Sequence, residues 1–271
     1  MVTFPYAKIN LGLSVPEKRP DGYHRIETIF YPISLTDILE IIPGTGPETV
    51  LQTAGLAIEG PPESNSCLKA YQMMSMHFSL PPVRIFLYKK IPSGAGLGGG
   101  SSDAAFTIRT LDALFNLNAG RDQLLRIAAS VGSDCAFFFS DRPMLGTGRG
   151  ECLEPVDLDL SGLRIMLVKP PCSVSTAEAY AGIIPKSASA PLKEIINLPL
   201  DQWQDRLVND FEESIFRKYE QIQTIRETLF SAGAVYASMT GSGSAVYGLF
   251  ESLAPDPSLF PGCFVWIGTL R

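Results

Sequence analysis

A run of glycines in the first half of the chain is the segment whose residue types most directly suggest chemistry. Residues 91–105 pass from apolar sequence through five glycines into an alanine-rich stretch. Glycine lacks a Cβ atom and tolerates positive φ angles, so several backbone N–H groups can approach one anion. The helix predicted beyond Ser101 adds unpaired N–H groups and a positive dipole end. The segment therefore predicts a phosphate site, and it is not typical of a flexible linker because it leads straight into apolar helical sequence.

The spacing of these glycines separates the segment from two common phosphate loops. No Gly-Lys-Ser/Thr closes it, so it is not a P-loop. No acidic residue ending a second strand follows at the distance expected in a dinucleotide fold. The segment is interpreted as a third kind of phosphate loop.

Three polar residues elsewhere interrupt apolar sequence. Lys8 and Asn10 are two apart in a predicted strand and share one face; taken alone, they slightly favour a solvated edge strand. Asp134 precedes the apolar run 135–139. Since an isolated buried charge is costly, Asp134 is expected to cap a helix, to hydrogen-bond a loop, or to pair with a cation such as Lys8.

Other polar residues carry weaker signals. His24, one of two histidines, follows a turn; it is as typical of a surface histidine whose hydrogen bonds are satisfied as of a binding residue. Lys89 and Lys90 end the strand that leads into the glycine segment, and at least one of them is expected to be a solvated strand end.

Composition limits the class of protein. The 271 residues are 45% hydrophobic and 18% charged, which is typical of a folded globular chain of one or two domains. A net charge of −6 and a pI near 5.1 favour a nucleotide or small anionic metabolite over nucleic acid as the ligand. Five scattered cysteines indicate free thiols. With neither an apolar span nor a leader pattern, cytoplasm is the expected location and no membrane partner is expected.

The order of predicted elements indicates an α+β fold with two domains, 1–153 and 154–271, divided where composition shifts after Glu154. Strands are predicted in 1–15, 26–30, 37–42, 83–90, 163–169, 235–239, 245–250 and 264–268, with a strand pair in 48–58. Helices are predicted in 65–74, 102–115, 122–131, 175–183, 203–216 and 219–231, the first capped by Asn65 or Ser64.

Two glycine motifs together identify a family resemblance. Residues 92–104 resemble the phosphate loop of the GHMP kinases, a family named for galactokinase, homoserine kinase, mevalonate kinase and phosphomevalonate kinase, and residues 239–245 resemble its C-terminal glycine motif. The resemblance covers nearly the whole chain. It implies the two-domain GHMP kinase fold, with an N-terminal domain like domain 2 of ribosomal protein S5 and a ferredoxin-like C-terminal α/β sandwich.

Further segments are similar to one branch of that family. Residues 7–11 and 19–24 resemble signatures of the members that phosphorylate the 2-hydroxyl of 4-diphosphocytidyl-2-C-methyl-D-erythritol in isoprenoid precursor synthesis. Residues 131–134 resemble their catalytic segment. Residues 209–212 resemble the family's Asn-Asp-Leu-Glu, with Phe211 in place of leucine.

The resemblance implies catalytic roles for Lys8 and Asp134. Asp134 would orient the acceptor hydroxyl and accept its proton late, because a nearby Lys8 cation would keep the carboxyl ionised. At the cytidine end, Tyr23 would stack on the base, His24 would bond its edge and Tyr180 would cover the other face. The remaining residues expected to bind substrate are Asn10, Thr176, Thr240 and Gly241.

ATP is the implied phosphate donor, with Mg²⁺ bridging its phosphates; the metal ligands are unknown from sequence. The residues expected to bind ATP are Asn65, Lys89, Pro92, Gly94, Gly96, Leu97, Gly98, Gly99, Gly100, Ser101 and Ser102. The expected partners are these two small molecules, for a monomer or weak homodimer that binds neither nucleic acid nor membrane. The alternatives are another GHMP small-molecule kinase and a nucleotide-binding regulatory module without catalysis.

Overall fold

Alternating apolar residues form three four-stranded sheets in the computed structural model, which describes residues 1–58, 60–186 and 190–270. The strands are β1 (Val2–Thr3), β2 (Tyr6–Lys18), β3 (His24–Thr36), β4 (Ile38–Pro43), β5 (Val50–Gly55), β6 (Val83–Lys89), β7 (Met144–Thr147), β8 (Cys152–Pro155), β9 (Arg164–Lys169), β10 (Tyr236–Met239), β11 (Val246–Phe250) and β12 (Phe264–Thr269). The α-helices are α1 (Ser66–His77), α2 (Gly99–Leu114), α3 (Arg121–Val131), α4 (Thr176–Ala181), α5 (Leu192–Ile195), α6 (Glu212–Lys218) and α7 (Glu220–Ser231).

One compact unit comprises residues 1–7, 35–93 and 98–141. Its sheet has the order β1-β4-β6-β5, with β5 parallel to β6 and the other neighbours antiparallel. Period-two alternation places Leu39 and Ile41 of β4 on the buried face, beside Ile85 and Leu87 of β6. These side chains form one core with apolar residues of α1, α2 and α3.

The other unit comprises residues 8–34, 94–97 and the described residues from 142 onward. It contains the sheets β2-β3-β7-β8 and β10-β11-β9-β12; β7 is antiparallel to both of its neighbours, and the second sheet is antiparallel throughout. Leu13 and Ile26 of the first sheet share a core with Met166 and Val246 of the second. Ile215 and other apolar residues of α6 and α7 complete that core.

The α+β class predicted from sequence is confirmed, and most predicted elements occur. The units nevertheless interleave along the chain, whereas the predicted division is a single point near residue 153. That division stays a prediction.

Several predicted elements have different bounds, and three of them differ in strand number, start or position. The segment 48–58 forms one strand, β5, whose partner is the later strand β6. Helix α2 begins three residues before the predicted start, inside the glycines, although glycine has a low helix propensity. No α-helix starts at Trp203; α6 begins at Glu212, because the Asn209 and Asp210 side chains accept hydrogen bonds from backbone N–H groups and hold a turn there.

Within the described residues, no helix combines the length and the apolar character needed to cross a bilayer.

Candidate active site

The glycine segment alternates left-handed residues up to the start of α2. Gly94, Gly96 and Gly98 have φ angles of +60°, +74° and +70°. Gly98 is the N-cap of α2 and supplies no side-chain cap. The first N–H groups of a helix lack partners within the helix, so this end of α2 offers backbone donors and a positive dipole to an anion.

The residues of the segment differ in exposure. Ser101 is partly exposed, whereas Ser102 is fully buried and its Oγ has no hydrogen-bond partner within the described structure. Pro92 and Leu97 are also buried. Of the two serines, Ser101 is therefore the one placed to meet a ligand, and Ser102 is placed towards the protein interior.

The two glycine motifs of the sequence meet in the second unit. The Oγ1 atom of Thr240 donates to the carbonyl oxygen of Gly96 at 3.1 Å, and the backbone N–H of Ala245 donates to Ala95 at 3.3 Å. A Cβ atom on Gly96 would lie 1.9 Å from the carbonyl oxygen of Thr240. Residue 96 must therefore be glycine for both steric and conformational reasons.

Lys8 is bonded to the same segment. Its backbone N–H donates to Leu97 at 3.0 Å, and its ammonium donates to the carbonyl oxygen of Gly96 at 2.7 Å and to the Oδ1 atom of Asn10. The ammonium also lies 5.4 Å from the centre of the Phe30 ring. Only 3% of Lys8 is exposed, so its charge is held close to the glycine backbone and is not on a solvated edge.

Asn10 uses its carboxamide inside the protein. Its Nδ2 group donates to Thr28 at 2.9 Å, and its Oδ1 atom accepts from Lys8 and from Thr240. The residue is 2% exposed. The sequence predicts that Asn10 contacts substrate; in the structure it supports Lys8, and the fully buried Thr240 links Asn10 to the glycine segment.

Asp134 lies in the first turn of a 3₁₀ helix, Ser133–Phe139, directly after α3. Its carboxylate is half-buried and its Oδ1 atom is 3.3 Å from the Ser133 hydroxyl. The next residues, Cys135 and Phe137 among them, are buried and fix the turn. Gly132 is the N-cap, so of the alternatives expected for Asp134 the structure shows the hydrogen bond within the loop and not the helix cap.

The aromatic residues predicted to bind a base are arranged differently from the predicted sandwich. His24 and Tyr180 stack on one another, with ring centres 4.9 Å apart and planes 20° apart. Burial, with a smaller contribution from Lys18, lowers the pKa of His24, which favours the neutral imidazole. Tyr180 also meets Phe211 edge-on at 4.9 Å. One face of the Tyr180 ring is thus covered by His24.

Tyr23 has a neighbour that the sequence did not single out. Its side chain is an exposed large apolar surface, 56% accessible, and the Arg149 guanidinium lies 5.0 Å from its ring centre. Glu151 accepts from the Arg149 backbone N–H at 2.5 Å and lies 3.6 Å from its side chain. The sequence signal that could have identified Arg149 is the glycine cluster 146–150, because it places this arginine on a tight turn.

The remaining predicted ATP and substrate residues have local partners. Asn65 is the N-cap of α1, as predicted, and accepts from the Cys67 N–H at 2.9 Å. Thr176 is exposed at the start of α4. Lys89 is 4% exposed and its ammonium binds two carboxylates. In this arrangement Lys89 offers no open ammonium to a nucleotide, whereas Lys90 is the solvated strand end.

The Asn-Asp-Phe-Glu segment holds the C-terminal glycine motif in place. The amide of Asn209 donates to the carbonyl oxygens of Met239 and Gly241 at 2.8 and 2.9 Å. Glu212 accepts from the Ser238 hydroxyl and from the Met239 N–H at 2.8 and 2.7 Å. Burial raises the pKa of Glu212. The sequence motif thus stabilises the turn that contacts Gly96.

Replacing Asn209 with alanine is expected to lower the free energy of unfolding by about 2–4 kcal/mol, because two buried carbonyl oxygens lose their donors. The midpoint of thermal unfolding should fall by roughly 5–10 °C. Asn197→Ala is the matched control, since that amide donates to one exposed carbonyl at 2.8 Å. An equal shift in the two variants would contradict the role assigned to Asn209.

No group of three or more His, Cys, Asp or Glu side chains suited to a metal ion occurs within residues 1–58, 60–186 and 190–270. Mg²⁺ prefers octahedral oxygen ligands and keeps several waters. The described residues therefore do not fit a magnesium site built by protein alone.

Comparisons with known proteins agree with this geometry. The family model for the GHMP kinases N terminal domain matches residues 65–142, and that for the GHMP kinases C terminal domain matches residues 190–258. A relative from Parabacteroides distasonis, named 4-diphosphocytidyl-2-C-methyl-D-erythritol kinase, is 47% identical over 272 residues, covering 100% of both chains. A relative of the same name from Bacteroides fragilis is 51% identical over 253 residues, which cover 93% of this chain and 92% of the relative.

Solved structures show the same fold. A crystal structure of 4-(cytidine 5'-diphospho)-2C-methyl-D-erythritol kinase is 32% identical, with a TM-score of 0.84 over 100% of this chain and 99% of the other. The mevalonate kinase of Methanococcus jannaschii, at 16% identity and a TM-score of 0.70 over 100% and 98% of the two chains, shares the fold alone. The chain belongs to the GHMP kinase family.

Proposed function

We propose that the chain transfers the γ-phosphoryl group of ATP to the 2-hydroxyl of 4-diphosphocytidyl-2-C-methyl-D-erythritol. The observation that carries the proposal is 47% identity over the full length to a relative named for that substrate. The contact between the two glycine motifs of a GHMP kinase supports it. The product would be an isoprenoid precursor carrying a new phosphomonoester.

ATP binds, in this proposal, with its phosphates on the backbone donors of the glycine segment and the first turn of α2. The uncapped start of α2 and the left-handed glycines support this assignment. The residues assigned to ATP are Asn65, Pro92, Gly94, Gly96, Leu97, Gly98, Gly99, Gly100, Ser101 and Ser102. Because Pro92, Leu97, Gly99 and Ser102 are buried, they are assigned through their backbone or through the shape that they give the segment.

Lys8 supplies positive charge in this mechanism. Its ammonium is oriented by Asn10 and by the Gly96 carbonyl, so it needs no reorganisation when negative charge develops during transfer. Asn10 is proposed as the residue that positions it, with Thr240 behind both.

Asp134 acts on the acceptor in this mechanism. Its half-buried carboxylate orients the substrate hydroxyl, whose oxygen forms the new bond to phosphorus while the bond from phosphorus to the ADP oxygen breaks. The hydroxyl proton passes to the Asp134 carboxylate late in the transfer. This order suits a loose transition state in which positioning and charge matter more than strong proton abstraction.

The cytidine base is proposed to stack on the exposed ring of Tyr23, with its edge bonded by the neutral His24 imidazole. Tyr180 covers the other face of the base only after the His24–Tyr180 stack opens. Thr176 and Gly241 are assigned to the diphosphate or the erythritol hydroxyls. This assignment is supported by the resemblance to the GHMP kinases.

Mg²⁺ is assigned to the ATP phosphates and water, since the described residues form no cluster for it. No step of the mechanism is assigned to the metal. We also propose that the chain is a monomer or weak homodimer and that it acts in the cytoplasm. Sedimentation tests the first point and cell fractionation tests the second.

Replacing Tyr23 with alanine is expected to raise KM for the cytidyl substrate by roughly 5- to 150-fold, because stacking on a base contributes about 1–3 kcal/mol. KM for ATP should change little. Steady-state kinetics with each substrate varied in turn measure both constants. Tyr88→Ala is the control, since Tyr88 is exposed to a similar extent, 49% against 56%, on a strand of the other unit. An unchanged KM in Tyr23→Ala would contradict the assignment of the base site.

A coupled assay of ADP release tests the proposed function against its alternatives. Purified protein is given ATP with the cytidyl substrate, with mevalonate, or with homoserine. Turnover with the cytidyl substrate alone supports the proposal. Turnover with another acceptor would identify a different GHMP activity, and ATP binding without turnover on any acceptor would indicate a regulatory module.

A further inference from the structure

A buried lysine ends the strand that leads into the glycine segment. Burial along β6 follows period two, with Val83, Ile85, Leu87 and Lys89 on the inner face at 0%, 0%, 2% and 4% exposure. The register of the strand thus forces a charged residue into the interior. A buried ammonium is costly unless it is paired.

Two carboxylates pair with this ammonium. Asp37, immediately before β4, is fully buried, and one of its oxygens contacts the Lys89 Nζ atom. Asp103, in the second turn of α2, is 3% exposed and lies 2.7 Å from the same Nζ atom. The strand end and the helix start are therefore joined through one ammonium. We call Asp37, Lys89 and Asp103 the buried ion cluster.

The cluster is also bonded to the backbone where the glycine segment starts. The second carboxylate oxygen of Asp37 accepts from the N–H groups of Lys90 and Ile91 at 2.5 and 2.8 Å. At the other end, a Cβ atom on Gly99 would lie 2.9 Å from the Ile91 side chain and 3.4 Å from the Lys89 Nζ atom. Both ends of the segment, one at residues 90–91 and the other at α2, are thus fixed by the same three side chains.

Stability alone does not account for such a cluster. A buried ion pair is about as stable as well-packed apolar residues of the same volume, because desolvation offsets the attraction. The Oδ1 atom of Asp103 has no hydrogen-bond partner within the described structure, which adds to the cost. The gain that fits the geometry is positional, since a charge-assisted contact fixes the relative placement of the strand end and the helix start.

We propose that the buried ion cluster positions the glycine segment for the donor phosphates, with Asp37 and Asp103 as positioning residues and Lys89 acting through them. The proposal rests on the proposed ATP-binding role of the segment. In this proposal Lys89 fixes the geometry of the glycine segment and does not contact the nucleotide directly.

The titration of Asp103 supplies a further readout. Burial raises the pKa of Asp103 to about 7; Lys89 lowers this pKa, and Asp37 raises it. Among the described residues, the Cys67 thiol also faces it, and burial raises the pKa of that thiol above its usual range. Because the folded-state pKa of Asp103 lies above the unfolded value, folding binds a proton between about pH 4 and pH 7. The contribution of this residue to stability therefore falls as pH rises through that window.

Asp103→Ala and Asp103→Asn test the proposal in the full chain. Asp103→Ala should fold, since Lys89 keeps Asp37 as its partner. We expect amide exchange across residues 91–101, followed by mass spectrometry without ligand, to rise by at least about tenfold. KM for ATP should rise by roughly tenfold, the effect of losing about one charge-assisted hydrogen bond, while KM for the acceptor stays the same.

Asp103→Asn should restore most of the exchange protection and ATP affinity, because its amide oxygen can accept from Lys89. It should also flatten the dependence of thermal stability on pH between about 4 and 7, since the raised pKa is gone. Asp112→Ala is the control. Asp112 lies on the same helix and accepts from the Ala119 N–H at 3.0 Å, so this variant should leave amide exchange across residues 91–101 and KM for ATP unchanged.

The outcomes separate this proposal from the proposed function. Unchanged exchange in Asp103→Ala would overturn the positioning role whether or not the protein binds ATP. Unchanged or tighter ATP binding in Asp103→Ala would also overturn it, because losing the Asp103 contact would then not impair the placement of the phosphate-binding backbone. Increased exchange in a protein whose wild type binds no ATP would support the positioning and contradict the proposed function alone.

Discussion

Asp134→Ala is expected to lower kcat by about 10²- to 10⁴-fold, the usual contribution of a residue that orients and accepts a proton in the transition state. KM for ATP should change by less than about twofold, because the donor phosphates are assigned to the backbone of a different segment. Asp134→Asn should be nearly as slow, since an amide keeps the shape of the turn but cannot take the proton. Steady-state kinetics and ATP titration measure the two quantities separately.

Asp122→Asn is the matched control for that result. It removes an exposed carboxylate from the first turn of α3, the helix that leads to Asp134. Its kcat should equal that of the wild type. If Asp134→Ala lost ATP binding and catalysis in equal measure, Asp134 would be a structural residue and the proposed mechanism would be wrong.

Gly96→Ala is expected to lower both stability and turnover. The substituted residue would hold a φ of +74°, which L-residues adopt at a cost of about 1–2 kcal/mol. Its Cβ atom would also lie 1.9 Å from the Thr240 carbonyl oxygen, so the two glycine motifs must separate. A displacement near 1 Å at a phosphate site can cost about 10²-fold in rate, and Gly96 also orients Lys8. We expect a loss of roughly that size in kcat/KM for ATP.

Gly162→Ala is the control that separates the cost of a positive φ angle from the steric clash expected in Gly96→Ala. Gly162 has a φ of +89°, but nothing lies within 4 Å of a Cβ atom at that position. This variant should lose about 1–2 kcal/mol of stability and keep its activity. Equal activity in Gly96→Ala and wild type would show that the contact between the motifs is dispensable.

Local sequence signals were sufficient for the glycine segment, for the Asn65 cap and for most strands. Each depends on residues close in the chain: glycines before an alanine-rich helix, an asparagine before an amphipathic one, and alternation within a strand. The start of α2 inside the glycines was not predictable this way. Its stability comes from tertiary contacts of the helix and not from the propensity of its first residues.

The partners of polar side chains depend on contacts between distant segments. The family resemblance implies that Lys89 binds ATP, but its register in β6 buries it, and its partners come from residues 37 and 103. The Asn10 side chain likewise forms its hydrogen bonds with Lys8, Thr28 and Thr240, which come from three different parts of the chain. The stack of His24 on Tyr180 joins residues 156 positions apart in the chain, which no local pattern indicates.

The position of phosphorylation tests the central claim most directly. The purified chain is incubated with ATP and 4-diphosphocytidyl-2-C-methyl-D-erythritol, and the product is examined by phosphorus NMR and mass spectrometry. We predict one added phosphate, seen as a phosphomonoester coupled to the 2-position of the erythritol, with one ADP formed for each product. Recovery of unmodified substrate under conditions in which ATP binds, or a phosphate at another hydroxyl, would contradict the account.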